Sequence, residues 1–392
     1  MRDTTAEKML GVIRGRYSHF RQELTKEGKT MKKLILLTAT VYAIVSFITL
    51  LPQSLIAEDN GYRFNQQKSG CYSNHGNGQR RGLNNGWINR NQRNGECSNF
   101  RSNTLNGFPL QGANLVGADL SKANWRGCIL DGANLRNAKL ASVILGYQGN
   151  PSTMPPPASL KSTGFRNAFL MNANLQGVNL EKAFLKNATL RHALLNRAKL
   201  TGARLMDADL LYAKLMKADL TGACLSNAIL DHAMLTQAVM EKANFTNAHM
   251  KMTLVLHGKA SRAIFDKAVM SQARLKGTIL ERASFKGANL YKANLCSSKA
   301  EGASFRNAKM KYGKFVGTIF IRANLMNTDL YGADLSNANF YQAYLQNADL
   351  RHANLTNATL KQARLAGAKF DSATKLPISR KKAKKLGMIF VE

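Results

Sequence analysis

The chain has 392 residues and a formal net charge of +33, from 56 Lys and Arg against 23 Asp and Glu. This charge excludes an acidic surface of the kind that mimics nucleic acid. The five cysteines include no CxxC pair, so the usual spacing of a zinc site is absent from the sequence.

Residues 1–57 are a basic leader followed by an apolar stretch. Residues 34–51 read LILLTATVYAIVSFITLL, after a Met-Lys-Lys start at Met31 and before a small residue, Ala57. This order is typical of a cleaved secretory signal, with translation starting at Met1 or at Met31. The alternative is an uncleaved membrane anchor, because an apolar stretch of this length can span a bilayer with its basic flank in the cytoplasm.

Both interpretations of the apolar stretch place the rest of the chain outside the cytoplasm. The protein would be periplasmic after cleavage, or anchored in the inner membrane of a bacterium if the segment is retained. A cytosolic protein is the third alternative.

Residues 58–104 are rich in Asn, Gly, Gln and Arg and contain few apolar residues. Such a composition buries little core, so we predict a linker. Cys71 and Cys97 both fall in this stretch. In an exported protein they would form a disulfide, and two free thiols are the alternative.

A five-residue repeat starts at about residue 105 and continues to residue 370. Every fifth residue, the central position, is Leu, Phe or Met from Phe165 onward except at Val255, Ala260 and Ala300, and the residue two places earlier is small. A period of five fits neither an α-helix nor a β-strand. It therefore predicts a repeat architecture whose units stack to bury a continuous core.

The repeat occupies two blocks, residues 105–145 and residues 160–370. The separating residues 146–159 contain Pro151 and a run of three prolines that ends at Pro157. Because proline cannot donate to a sheet ladder, we predict an extruded loop. We interpret it as a tolerated insertion, with a functional loop as the alternative.

The repeat resembles the pentapeptide-repeat family, whose consensus is A(D/N)LXX, over roughly residues 105–370. The stretch GANLYKANL at residues 287–295 shows the consensus twice. The resemblance implies an all-β fold, a right-handed quadrilateral β-helix with four repeats per coil. Coils would stack at about 4.8 Å, and the residue two after each centre, often Asn or Gly, would form the corner.

The repeat stops at Phe370, and residues 371–392 are predicted to cap the β-helix. Ser379 is a suitable N-cap and Gly387 a suitable C-terminal glycine for one short basic helix between them. A nucleic-acid-binding basic cluster is the alternative interpretation of this segment.

No catalytic constellation accompanies the repeat. His192 and His232 would lie two coils apart, near 10 Å, which is too far to share a metal ion. The aspartates that precede central positions occupy the Asn/Asp position of the consensus and need no acid–base role. We therefore predict a non-enzymatic protein without a cofactor or metal.

The repeat region from residue 161 to residue 370 carries 30 Lys and Arg against 12 Asp and Glu. Members of the family that occupy DNA gyrase resemble DNA in shape and negative charge, so this basic chain is not expected to act in that way. The charge suits an anionic envelope component, such as lipopolysaccharide, anionic lipid or nucleic acid. Solubility alone is the other explanation.

Reading every twentieth residue compares the predicted sides. One side collects Glu181, Glu241, Glu281 and Glu301. Another collects aromatic and basic residues of the types favoured at interfaces, and we predict that a partner docks there. Its members are Arg191, His192, Tyr212, His232, Tyr291, Lys292, Tyr312, Tyr331, Arg351 and His352.

A second candidate surface is residues 323–350, which contain no Lys or Arg and include Tyr331, Tyr341 and Tyr344. We consider this stretch as a self-association patch. The sequence as a whole predicts an exported, non-enzymatic scaffold for an unidentified protein partner. A polyanion-binding envelope protein and a secreted effector acting in a host cell are the alternatives.

Overall fold

The computed structural model describes residues 99–107, 109–146 and 157–392, which all belong to one compact unit. The predicted signal or anchor, with residues 34–51, lies outside these residues, and so do Cys71 and Cys97. Within the described residues, no helix has the length and apolar character needed to cross a membrane.

A ladder of parallel bridges joins residues that are 20 apart along most of the described chain, as Phe169 joins Thr189 and Thr189 joins Asp209. The N–H of Leu170 donates to the carbonyl of Thr189 at 2.7 Å, and the N–H of Thr189 donates to the carbonyl of Ala168 at 2.9 Å. Twenty residues are four repeats, so each coil of this β-helix has four sides and four corners.

Each corner is a tight turn through a residue in the left-handed backbone region. In one repeat the N–H of Ala173 donates to the carbonyl of Leu170 at 3.1 Å, and Asn172 between them has a φ of 56°. Asn and Gly tolerate this region better than other residues. The prediction that the residue two after each centre forms the corner is confirmed.

The core contains two kinds of inward column. Ala218 and Leu220, a small residue and a central one, are both fully buried. Large central residues align from coil to coil, and one column is a stack of phenylalanine rings with centroids 4.7 to 5.0 Å apart. Its members are Phe245, Phe265, Phe285 and Phe305. Aligned rings add the same apolar contact at every coil.

Residues in the second kind of inward column must have small side chains. A Cβ added at Gly313 would lie 2.4 Å from the ring of Phe315, well inside contact distance. Threonine fits the column where its hydroxyl finds a partner, as Thr278 does by donating to the carbonyl of Val255 at 2.6 Å. The buried threonine hydroxyl therefore avoids the cost of an unmade hydrogen bond, whereas the hydroxyl of Ser298 in the same kind of column has no partner among the described residues.

The two sequence blocks form one ladder. Across residues 147–156 the bridge spacing rises to 30 residues, as between Ile144 and Asn174, and it returns to 20 afterwards. The N–H of Ala158 donates to the carbonyl of Leu145 at 2.8 Å, which closes a corner as elsewhere. Ten additional residues are therefore inserted without a change in the ladder.

The ladder also begins earlier than the sequence indicated. Its first described bridge joins Asn99 to Asp119, inside the stretch predicted as a linker. The central positions there are Phe100 and Leu105, but the small position between them is Asn103. Because Asn103 stands where the repeat usually has a small residue, the pattern is not recognisable in the sequence there. The composition of the stretch is instead typical of a linker.

The C-terminal segment closes the last coil. Strand β1, Lys369–Phe370, pairs in parallel with strand β2, Ile389–Phe390, and helix α1, Arg380–Lys385, lies between them in sequence. The side chain of Ser379 accepts from the N–H of Lys382 at 3.3 Å, and Gly387 has a φ of 79°. The predicted N-cap and C-terminal glycine are confirmed.

Asp371 and Thr374 fix the junction between the repeats and the cap. The N–H of each donates to the side chain of the other, at 3.0 and 2.9 Å, and Oδ2 of Asp371 lies 2.5 Å from Nδ1 of His352. Burial raises the pKa of the Asp371 carboxyl. Hydrogen bonds from the backbone of His352 and from Thr374 outweigh this effect, and the pKa falls to about 2.

The inward columns can be tested by two substitutions in one repeat. Leu220→Ala should lower the free energy of unfolding by about 2–5 kcal/mol through a cavity, and Ala218→Leu by about 1–3 kcal/mol through overpacking. Chemical denaturation measures both changes. The exposed Lys217 of the same coil is the control, since Lys217→Ala should change stability by less than about 0.5 kcal/mol. Wild-type stability in both core variants would contradict the assignment.

The lowered pKa of Asp371 predicts a pH-dependent cap. Because the pKa is lower in the folded state than the ordinary value of 3.8, the ionised carboxylate stabilises the fold above about pH 4. That contribution is lost as the pH falls through about 2. Asp371→Asn should lower the melting temperature at pH 7 and reduce its fall between about pH 4 and pH 2. Glu301→Gln, at an exposed corner, is the control and should behave as wild type.

Candidate docking surface

The ten predicted docking residues lie along one corner of the β-helix, which we call the docking corner. Continuous coil-to-coil hydrogen bonds establish this register. The N–H of His192 donates to the carbonyl of Leu211 at 3.0 Å, and that of Tyr212 to the carbonyl of Asp231 at 3.1 Å. Side chains that are twenty residues apart in sequence are therefore neighbours.

The rings of the docking corner form two stacks. In the first, Tyr212 lies between His192 and His232, with centroids 5.1 and 4.8 Å away and ring planes inclined by 10° and 21°. Met252 and Gln272 occupy the corner in the next two coils and end this stack. The structure thus brings the predicted residues together as two clusters.

The second stack runs from Tyr291 through Tyr312 and Tyr331 to His352. The tyrosines meet edge to face at 6.0 and 5.7 Å, and Tyr331 stacks on His352 at 4.8 Å. Cations lie over these rings, with Nζ of Lys292 5.2 Å from the centroid of Tyr291. The guanidinium of Arg351 is 5.8 Å from the centroid of Tyr331. Each ring therefore has a neighbour that fixes its orientation.

Carboxylates on the neighbouring side orient the arginines of the docking corner. Arg191 pairs with Asp209, and Arg351 pairs with Asp349 at 2.7 Å. The hydrogen bond from Arg351 is the main cause of a lowered pKa at Asp349. From the sequence alone, Asp209 and Asp349 are explained by the Asn/Asp position of the consensus. A coil length of twenty residues, applied to the sequence, could have predicted that they lie beside the docking corner.

The docking corner uses side chains that the backbone does not favour. His192, Tyr212, His232, Tyr312 and His352 have φ values of 55° to 58°. Such values are uncommon outside Gly, Asn, Asp and His. Other corners have them too, as at Lys217 and Arg262, so the turn of the repeat sets them whichever residue is present.

The preceding corner of each coil shows what the backbone does favour. It carries Asn at most of the same left-handed positions, and the amides bond along the helix axis, as Asn187 donates to Asn167 at 3.1 Å and Asn347 to Asn327 at 3.2 Å. Asparagine fits the left-handed region and gains a hydrogen bond. Aromatic side chains at the docking corner therefore replace the residue that suits the turn.

The tyrosines of the second candidate surface, residues 323–350, do not all lie together in the structure. Tyr341 follows Tyr331 by half of a twenty-residue coil, so the two lie at opposite corners. Tyr344 is near Tyr341, and the guanidinium of Arg364 lies 4.9 Å from its ring centroid. The four glutamates of the acidic side also lie at the corner opposite the docking corner.

Among the described residues, no group of three or more His, Cys, Asp or Glu side chains is placed to hold a metal ion. Cys128 is buried in the small inward column, and Cys224 and Cys296 are half-buried free thiols. The ring of Tyr212 lies between His192 and His232, so these two histidines do not face each other directly.

The sequence profile of the pentapeptide repeats family matches eight copies in this chain, over more than half of its length. The matched residues are 110–146, 158–191, 173–211, 183–222, 213–251, 263–299, 303–342 and 338–374. No curated protein matches the chain significantly.

Several solved structures are similar. HetL, a pentapeptide repeat protein involved in heterocyst differentiation regulation in the cyanobacterium Nostoc sp. strain PCC 7120, is 29% identical, with 72% of this chain and 95% of HetL covered and a TM-score of 0.36. A pentapeptide repeat protein of the Arabidopsis thaliana thylakoid lumen is 30% identical, with 32% of this chain and 72% of that protein covered and a TM-score of 0.20.

Full-length QnrB1, a plasmid-mediated fluoroquinolone resistance protein, is 20% identical, with 54% of this chain and 89% of QnrB1 covered and a TM-score of 0.26. Family membership rests on the profile match and on the repeat itself. The chain belongs to the pentapeptide repeat family, whose right-handed β-helix is its fold.

Proposed function

We propose that this protein is a non-enzymatic scaffold that binds a protein partner at the docking corner, outside the cytoplasm. The observation that supports this function most directly is the pair of ring stacks along one corner, with cations over the rings of the second stack. Tyr and Arg are among the residue types that contribute most to protein interfaces.

The docking corner is ordered before any partner binds. Tyr212 is held between two rings and Tyr331 between a tyrosine and a histidine. Tyr212 and Tyr312 are exposed nonetheless, at 44% and 47%. Binding through side chains that are already fixed loses little conformational entropy, which favours affinity.

The chemistry of the corner indicates the kind of partner. Tyr and Arg contribute more to protein interfaces than other residues, because they combine a large contact area with polar tips. Lys292, Lys311 and Arg351 lie around the second stack. An acidic protein surface with apolar contacts between its carboxylates would complement this arrangement.

The location outside the cytoplasm is proposed from residues 31–57, with a basic start, an apolar core and a small residue at Ala57. A scaffold in the periplasm or at the inner membrane would meet envelope proteins. A secreted effector is the alternative, and detection of the protein in the cytosol of a host cell would favour it.

Partner capture tests the docking corner. Replacing Tyr291, Tyr312 and Tyr331 with Ser should abolish capture of the partner from an envelope extract, because it removes the second ring stack. Thermal unfolding should change little, since Ser already occupies equivalent corner positions: Ser162 and Ser297 match Tyr312, and Ser271 and Ser336 match Tyr291 and Tyr331.

The matched control replaces three aromatic residues on other sides, Phe184, Tyr341 and Tyr344, with Ser. It should retain the partner at low and at high salt. If the two triple variants capture the same proteins as wild type, the docking corner is not the binding surface.

Export is tested by the mass of the mature protein after cell fractionation. A soluble periplasmic product that begins near Glu58 would support cleavage after Ala57. A full-length product in the membrane fraction would support retention of residues 34–51 as an anchor. A full-length product in the cytosol would refute the proposed location.

A further inference from the structure

A strip of basic residues follows the next corner of the β-helix beyond the docking corner. We define the basic strip as residues 194–199 and the segments that pair with them at twenty-residue intervals, as far as residues 314–319. Asp219 is the only acidic residue in these segments. The basic members include Arg197, Lys199, Lys214, Lys217, Arg274 and Lys276.

Acidic side chains neutralise little of the strip: the ladder places Asp219 beside Lys199 and Asp334 beside Lys314, and it pairs no other basic residue of the strip with an acidic one. The ion pairs within the described part of the chain involve other corners and sides, and no basic residue of the strip takes part in one. Lys214, Lys217, Arg274 and Lys276 are all exposed. Their charge is therefore available to an external anion.

Aliphatic side chains alternate with the cations. One column of the strip reads Lys259, Ile279, Lys299 and Ile319 in successive coils. This alternation keeps like charges from lying directly opposite one another, which is destabilising between strands. It also gives the strip a mixed cationic and aliphatic surface, since Ile279 and Ile319 are only half-buried.

The mixture of cationic and aliphatic side chains distinguishes between two possible polyanions, a nucleic acid and a lipid surface. Proteins that bind single-stranded nucleic acid combine a basic groove with aromatic side chains on which bases stack. The strip exposes no Phe, Tyr or Trp, and its apolar side chains are those of Leu, Ile, Val and Met. Lys and Arg beside such aliphatic side chains are typical of surfaces that lie in the membrane interface.

The strip keeps one register and has defined ends. Its register is constant from Leu194 to Ile319, so it extends over six coil steps, or about 29 Å. The coils on either side, at residues 174–179 and 334–339, carry no Lys or Arg at these positions. A corner in constant register offers an uninterrupted row of side chains over these coils, which suits an extended anionic surface such as a bilayer.

We propose that the basic strip binds the surface of an anionic lipid bilayer. Lys and Arg bind the lipid phosphates, and the aliphatic side chains between them enter the headgroup region. The strip shares no residue with the docking corner, so the inference does not depend on the proposed protein partner. In this orientation the β-helix lies along the membrane and the docking corner faces the adjacent solvent.

Vesicle sedimentation with the full-length protein tests the proposal. The probes are vesicles of phosphatidylcholine alone and of phosphatidylcholine mixed with phosphatidylglycerol, at about 0.1 M and about 1 M salt. The strip variant replaces Arg197, Lys199, Lys214, Lys217, Arg274 and Lys276 with Gln. We expect it to bind anionic vesicles at least about tenfold more weakly than wild type at the lower salt concentration.

The matched control has the same change in net charge. It replaces two Arg and four Lys on other sides with Gln, at Arg166, Lys186, Lys267, Lys286, Arg306 and Lys309. It should keep most of the binding to anionic vesicles. Both variants retain residues 34–51, so insertion of that segment contributes equally to each. Thermal unfolding checks that both variants fold, which is expected because Gln occurs naturally at corner positions such as Gln237.

Two results would overturn the proposal. Equal losses in the strip and control variants would show that net charge alone attracts the protein to vesicles. A strip variant that loses affinity for duplex or single-stranded DNA, but binds anionic vesicles as wild type does, would assign the strip to nucleic acid.

Discussion

The backbone ladder between coils is the interaction on which the rest of the structure depends. Because the ladder pairs residues that are twenty places apart, except across the insertion, the side chains of one column lie above one another. Side chains of similar type therefore meet in several columns. Phe stacks on Phe in the core, Asn bonds to Asn along one corner, and Tyr stacks on His along another.

The ladder also decides where function can be placed. Each repeat turns one large and one small side chain inward. These side chains are used for packing in the core. At the corners the left-handed turn favours Asn and Gly, and one corner follows that preference for most of its length. The docking corner carries stacked rings at these positions, and the basic strip gathers many cations with two acidic ladder neighbours, Asp219 and Asp334. The docking corner and the basic strip follow adjacent corners of one β-helix. The protein could thus bind a protein partner and a membrane surface side by side.

Much of this could be predicted from the chain alone, because a constant period of five makes sequence position equivalent to position on the surface. Buried columns, corners and the alignment of the docking residues all follow from that period, and the Ser379 cap follows from residue type. The ladder at Asn99 was hidden by the loss of the small residue at Asn103. The tyrosines of residues 323–350 seemed one patch because they are near in sequence, although half a coil separates Tyr331 from Tyr341.

The sequence by itself determined the family, the inward residues and the coil length, since these depend on local period and side-chain size. Only the tertiary structure decided which rings stack, where the docking residues divide into two clusters, and how Asp371 and Thr374 close the last coil. It also showed that, within the described residues, no cation of the basic strip takes part in an ion pair. Ring orientation and ion pairing depend on distances between coils, which a one-dimensional period does not contain.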